Sequence, residues 1–326
     1  MHLLKRLKKV STIISNFEII TAENSGFCFG VRRAVDTIYE LRNKTDKKIY
    51  TIGELIHNEL FIKRLEEDNI FVVEEDAIES LVPEKDLCVL VVRTHGIKKD
   101  IIEKLEKYGF SYVDATCPFV KRIHDIVDKN SDDVNVTVIM GDKNHPEVIG
   151  IQSYSHSATF VCSDEQELLS TVKENLTTNE DCLLLTSQTT YNNEKYVNCQ
   201  NLVRKLYTNA KIFDTICNVT EKRQNEVVSL SEKCDCVLVV GGKKSSNTAK
   251  LAQISAKKCK DTYLLQSVSD LPEEEILAAY RQKLQSSDAV YTVGITAGAS
   301  TPDDILEEVK AGVTVLLKDG FGETKQ

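Results

Sequence analysis

Residues 110 to 117 read F-S-Y-V-D-A-T-C, and residues 210 to 217 read A-K-I-F-D-T-I-C. Each is a short apolar run with an aspartate three residues ahead of a cysteine, and each leads into a helical pattern. A third stretch, F-E-I-I-T-A-E-N-S-G-F-C over residues 17 to 28, has the same order of strand, turn, cysteine and helix. Cys28, Cys117 and Cys217 are 89 and 100 residues apart, so one falls in each third of the 326-residue chain. Self-similarity of this kind marks a repeated architecture.

The correspondence continues downstream. A basic residue stands five positions after every cysteine (Arg33, Arg122, Lys222), and each lies in an amphipathic helical stretch. A second strand then ends in glycine: K-I-Y-T-I-G at 48 to 53, V-T-V-I-M-G at 136 to 141, C-V-L-V-V-G at 236 to 241. Four residues past those glycines stand His57, His145 and Ser245. A third strand ends in small polar residues: V-L-V-V-R-T-H-G from 89, L-L-L-T-S-Q-T-T from 183, and V-Y-T-V-G-I-T-A-G-A-S-T from 290.

Apolar strands alternating with helical crossovers predict an α/β fold with parallel sheets. The expected units are 17–109 with Cys28, 110–209 with Cys117 and 210–310 with Cys217, preceded by a basic extension (1–16) and followed by a tail (311–326). In open parallel sheets, ligands sit beyond the carboxyl ends of the strands. Three small sheets about one central cavity, a trefoil-like arrangement, would make neighbours of the three cysteines.

The composition, 41% hydrophobic and 28% charged, is that of a soluble globular protein, and no apolar run approaches the roughly 18 residues of a membrane span. A net charge of -9 argues against nucleic acid as a partner. An anionic ligand must therefore be held by local donors and helix ends. Ten cysteines without a C-x-x-C pair do not form a disulfide framework. Cys88, Cys182 and Cys236 lie in or beside apolar runs as space fillers, and Cys234-Asp-Cys236 reads as structural. The first sixteen residues carry Lys5, Arg6, Lys8 and Lys9 and no acid, and read equally as a targeting segment, plastid targeting included, or as a solvated extension of a cytoplasmic, bacterial-type protein.

Three convergent thiols admit a zinc site, an iron-sulfur cluster with one iron free of protein ligands, or three buried structural cysteines. His57, His95 and His145, with Thr189, Ser245, Ser246, Asn247 and Ser300, form a donor-rich, nearly uncharged set suited to a diphosphate. Glu147 in H-P-E-V is the carboxylate that the pattern places beside them. It reads either as a proton donor with a raised pKa or as a first-turn helix residue after Pro146.

These motifs together resemble the 4-hydroxy-3-methylbut-2-enyl diphosphate (HMBPP) reductase family, over about residues 17 to 310. The resemblance rests on G-F-C-F-G-V-R-R-A-V (26–35), His57-Asn58, T-H-G (94–96), D-A-T-C-P-F-V (114–120), H-P-E-V (145–148), S-Q-T-T (187–190), D-T-I-C (214–217) with T-E-K-R-Q (220–224), S-S-N-T (245–248) and G-I-T-A-G-A-S-T-P (294–302). It implies one 4Fe-4S cluster on Cys28, Cys117 and Cys217. It implies diphosphate binding by His57, His95, His145, Ser245, Ser246, Asn247 and Ser300, with Thr189 and Glu147 at the substrate's hydroxyl end. Glu147 would supply the proton in a two-electron reductive dehydroxylation giving isopentenyl and dimethylallyl diphosphate, the last step of the methylerythritol phosphate route. The implied partner is a ferredoxin or flavodoxin type electron donor, with the chain a monomer or weak dimer and no nucleic acid or membrane bound.

Departures are small: Ile149 stands where the family often has an acid, and Val219 where alanine is common. A rival reading is a three-cysteine dehydratase resembling quinolinate synthase, whose carboxylate substrates call for basic donors where this chain has S-S-N and H-P-E. Another is a non-enzymatic metal or redox sensor, which needs no aligned His/Ser/Thr pocket.

Overall fold

A computed structural model describes residues 16–178, 181–285 and 289–323. The basic N-terminal extension thus lies almost wholly outside the described residues. The chain runs β1 (Phe17–Thr21), α1 (Phe29–Lys44), β2 (Lys48–Ile52), α2 (Glu59–Glu67), β3 (Ile70–Val73), β4 (Cys88–Val92), α3 (Lys99–Tyr108) and β5 (Tyr112–Asp114). It continues α4 (Pro118–Asn130), β6 (Val136–Met140), α5 (Pro146–Gln152), β7 (Ala158–Cys162), α6 (Glu165–Asn175), β8 (Leu183–Ser187), α7 (Asn193–Leu206) and β9 (Ala210–Ile212). The last third is α8 (Asn218–Ser231), β10 (Cys236–Val240), α9 (Ser246–Ala256), β11 (Asp261–Leu265), α10 (Glu273–Leu284), β12 (Tyr291–Ala297) and α11 (Asp303–Glu323).

Among the described residues, twelve strands form three four-stranded sheets, ordered β3-β2-β4-β5, β7-β6-β8-β9 and β11-β10-β12-β1, and every pairing is parallel. The α/β class with small parallel sheets is as the sequence predicts. Strands β4, β6, β8 and β10 are buried at every residue, which is why they read as mostly apolar runs instead of alternating. The edge strands β5 and β9 are three residues long and only half-buried, which limits the exposed edge.

The sheets differ from the expected units in one respect. Boundaries at 109/110 and 209/210 fall ahead of β5 and β9, yet each of those strands pairs with the sheet built by the preceding segment: Leu90 with Tyr112, and Leu183 with Ala210. In the third sheet the fourth strand is the N-terminal β1, with Phe17 opposite Tyr291 and Thr21 opposite Ile295. Residues 311–323 continue α11 rather than forming a tail, and Val313 and Leu317 are buried.

The chain forms two compact units. One contains the described residues up to Cys28, His57–Glu59 and the chain from Asn218 onward; the other contains Phe29–Ile56 and Leu60–Cys217. No helix among the described residues is long and apolar enough to cross a membrane.

Candidate active site

The repeat seen in the sequence is a repeat of hydrogen bonds. Each of Cys28, Cys117 and Cys217 directly precedes a helix (α1, α4, α8). Each donates its backbone N–H to a carbonyl just past a third-strand end: Cys28 to Ala299 (3.1 Å), Cys117 to Thr94 (2.9 Å), Cys217 to Thr189 (3.1 Å). The glycines that close the second strands are held alike, Gly53 N–H on Val73, Gly141 on Cys162 and Gly241 on Leu265. Each of these cysteines thus stands at the positive end of a helix's peptide dipoles.

Local sequence explains the approach to Cys117. Asp114 accepts from Thr116 N–H (2.9 Å) in an Asx turn and from Lys121 Nζ (2.9 Å), and Pro118 occupies the first helical turn. Burial works to raise the Asp114 carboxyl, but the bonds from Lys121 and Thr116 outweigh it and hold it below the usual range.

Of the seven cysteines other than Cys28, Cys117 and Cys217, six are poor thiolates. Burial pushes up the thiols of Cys88, Cys162 and Cys259, those of Cys199 to about 11, and those of Cys234 and Cys236 to about 12. Cys28, Cys117 and Cys217 are only half-buried at the helix ends. Cysteine sulfur is a soft donor that suits zinc or an iron-sulfur cluster.

The second unit brings His95, His145, Glu147 and Thr189 together. His145 caps α5, its Nδ1 accepting the Glu147 backbone N–H (3.2 Å). The neutral imidazole then carries its proton on Nε2 and offers it as a donor. His95, in the T-H-G turn, lies edge-on to His145 with ring centroids 5.3 Å apart. Glu147 is 1% exposed. Burial raises its carboxyl to about 7, against the lowering effect of bonds from Thr189 N–H (2.6 Å) and Thr189 Oγ1 (2.8 Å). At neutral pH this side chain can hold a proton or release it.

The first unit brings together His57, Ser245, Asn247 and Ser300. Ser245 caps α9, accepting from Thr248 N–H (3.3 Å), so the first N–H groups of the helix, at Ser246 and Asn247, lie at an anion-favouring end. The turn carrying His57 is fastened from both sides: Asn58 Nδ2 donates to Ser300 O (3.1 Å), and Ser300 Oγ donates to His57 O (3.2 Å). Gly242 packs so closely there that a Cβ would stand 2.4 Å from His57 O. Asn247 is 3% exposed, and both amide heteroatoms lack a protein partner. A buried orphan amide carries a desolvation cost that a polar ligand would relieve.

Sequence reasoning missed the residues that hold these turns. Arg93 is buried, donates Nε–H to Gly96 O (3.1 Å) and Nη2–H to Glu75 (2.8 Å), and occupies the space that a side chain at Gly53 would need. His124 stacks on Tyr154 (4.3 Å) and lies against Gly96 and Gly150, so it wedges behind the segments of His95 and Glu147. The signal for both was faint: an arginine adjoining T-H-G, and a histidine on the apolar face of α4.

Comparison with known proteins agrees with the motifs. A 4-hydroxy-3-methylbut-2-enyl diphosphate reductase of Caldanaerobacter subterraneus is 41% identical over 293 residues, 90% of this chain and 95% of that protein. One of Clostridium perfringens is 40% identical over 298 residues, 91% of this chain and 99% of that protein. A solved (E)-4-hydroxy-3-methyl-but-2-enyl diphosphate reductase, the terminal enzyme of the non-mevalonate pathway, superposes with a TM-score of 0.64 at 34% identity, covering 91% of this chain and 98% of the other. The Plasmodium falciparum E-1-hydroxy-2-methyl-but-2-enyl-4-diphosphate reductase superposes at 0.76 and 27% identity, covering 92% and 87%. The model of the LytB protein family matches residues 19–314, a span that holds every motif on which the resemblance rests, and the chain belongs to that family.

Proposed function

We propose that this chain reduces 4-hydroxy-3-methylbut-2-enyl diphosphate to isopentenyl and dimethylallyl diphosphate. The observation that carries the reading is Glu147: a fully buried carboxyl, raised to about 7, bonded to the residue whose carbonyl holds Cys217. A proton donor next to a thiolate segment is what a reductive dehydroxylation requires. The allylic hydroxyl leaves as water, and the balance takes up two electrons and two protons.

Cys28, Cys117 and Cys217 would hold a 4Fe-4S cluster, which supplies the electrons one at a time and a Lewis-acid site for the hydroxyl. Ser245, Ser246 and Asn247 at the start of α9 would bind the diphosphate, with His57 and Ser300 on the adjoining turn. His95 and His145 would also serve as diphosphate ligands, through ring N–H groups. Thr189 would orient the hydroxyl end, and Glu147 would deliver the proton. Desolvation strengthens each of these bonds and keeps the carboxyl protonated until it is needed. A ferredoxin or flavodoxin type protein would be the electron donor.

The test is anaerobic turnover. Protein reconstituted with iron and sulfide, given reduced viologen, should oxidise the dye only when HMBPP is added, and both five-carbon diphosphates should appear. Cys117→Ser should abolish the reaction. A fully loaded wild-type cluster that gives no HMBPP-dependent oxidation would sink the proposal.

A further inference from the structure

The basic residues five positions after each cysteine have no place in the function described so far. In the first unit, Arg223, one position beyond Lys222, is turned inward and only 3% exposed, while Lys222 faces solvent. Arg223 donates Nη1–H to Ala297 O (2.6 Å) and Nη2–H to Gly26 O (2.7 Å). These two carbonyls bracket the Cys28 segment: Gly26 lies two residues ahead of Cys28, and Ala297 two residues ahead of Ala299, which accepts the Cys28 N–H. In the second unit Arg33 donates Nη2–H to Thr116 O, the residue immediately ahead of Cys117. The same device thus occurs twice, with a guanidinium on a cysteine-headed helix clasping a carbonyl within two residues of a cysteine.

We propose that Arg223 and Arg33 are positioning residues that fix the Cys28 and Cys117 segments and, through their fixed positive charge, make the metal centre held there easier to reduce. This rests on the cluster reading above. Two physical effects act together. A guanidinium offers several N–H donors in a rigid fork, so Arg223 binds two carbonyls at once and sets the spacing between β12 and the Cys28 turn. Its charge cannot be titrated away, and in a poorly solvated site it favours the more negative, reduced state of a neighbouring thiolate-ligated centre. Arg33 is half-buried and lines a cavity of about 300 Å³ with Lys121, Arg122, Asp114 and Asp125. Solvent and the two carboxylates screen its charge, so its electrostatic share is smaller than that of Arg223.

The experiment is a redox titration of the reconstituted protein followed by electron paramagnetic resonance, with iron content and the apo-protein melting temperature measured alongside. Arg223→Met, Arg223→Lys and Arg33→Met are compared with the wild type. Arg223→Met should become harder to reduce by at least tenfold in the one-electron equilibrium, about 59 mV more negative. Arg223→Lys, which keeps the charge but not the fork, should recover most of that potential while still melting lower than wild type. Arg33→Met should shift the same way by less, and it tests the idea separately should Arg223→Met fail to fold. Wild-type potentials in variants that hold a full cluster would overturn the inference. A wild-type protein that takes up no iron would instead defeat the cluster reading, before any variant is compared.

Discussion

Thr189 donates both its backbone N–H (2.6 Å) and its Oγ1 (2.8 Å) to the two carboxyl oxygens of Glu147, while its own carbonyl accepts the N–H of Cys217 (3.1 Å). One residue therefore couples the acid to a cysteine segment. Removing the hydroxyl in Thr189→Val leaves only the backbone donor, and burial then prevails further. A hydrogen bond to a charged group is worth about 1.5–3 kcal/mol, so the Glu147 carboxyl should rise by roughly one to two pH units. In the pH dependence of kcat/KM, the falling limb near pH 7 should move upward by about that amount, and Thr189→Ser should restore it.

The raised carboxyl also has a consequence for stability. Glu147 titrates near 4.5 when the chain is unfolded and at about 7 when folded, so between those values the unfolded chain binds fewer protons than the native one. Stability from this group is complete below about pH 4.5 and is lost as pH rises through 7. The full difference is of order 3 kcal/mol. Glu147→Gln removes the titration. Urea denaturation of the apo-protein should show the variant gaining on wild type from pH 5 to pH 8, with no such gain near pH 4, while turnover is lost at every pH. Parallel stability curves for the two proteins would contradict the buried, proton-holding assignment.

Asn247 separates binding from folding. Its amide is buried without protein partners, a cost of about 1–3 kcal/mol that the folded chain bears when no ligand is bound. Asn247→Leu should raise the melting temperature of the apo-protein and weaken inorganic diphosphate binding by about tenfold in calorimetry. A variant that is both less stable and unchanged in diphosphate affinity would show that the amide serves the core instead.

Much of this was legible in the sequence because the recurring features are backbone requirements. Gly53 has a positive φ and Gly242 has no room for a Cβ, so glycine stands there whatever the neighbours. The buried strands announce themselves as Val- and Leu-rich runs, and Glu147 was placed by its histidine and proline. Pairing over long sequence distance leaves no local trace, which hid the union of β1 with β12 and moved β5 and β9 into the sheets of the preceding segments. Phase on a helix was hidden as well. The five-residue spacing points to Lys222, but the rotation of α8 buries Arg223, one position later.

Gly242 gives the sharpest test of the turn proposed to bind the diphosphate. A methyl group there would stand 2.4 Å from the carbonyl oxygen of His57 and 3.3 Å from Asn58 Cα, and both are backbone atoms that cannot swing aside. The turn must move, and with it go the bonds that join Asn58 to Ser300 and Ser300 to His57. Overpacking of this kind costs about 1–3 kcal/mol. Gly242→Ala should therefore fold with a lower melting temperature and raise the KM for HMBPP well above its effect on kcat, because the displaced groups are those proposed to bind the diphosphate and not the reacting hydroxyl. Gly109→Ala is the matched control. Gly109, unlike Gly242, has a positive φ, and its Cβ would meet only the flexible end of Lys85 at 3.5 Å, so the variant should lose stability without a change in KM.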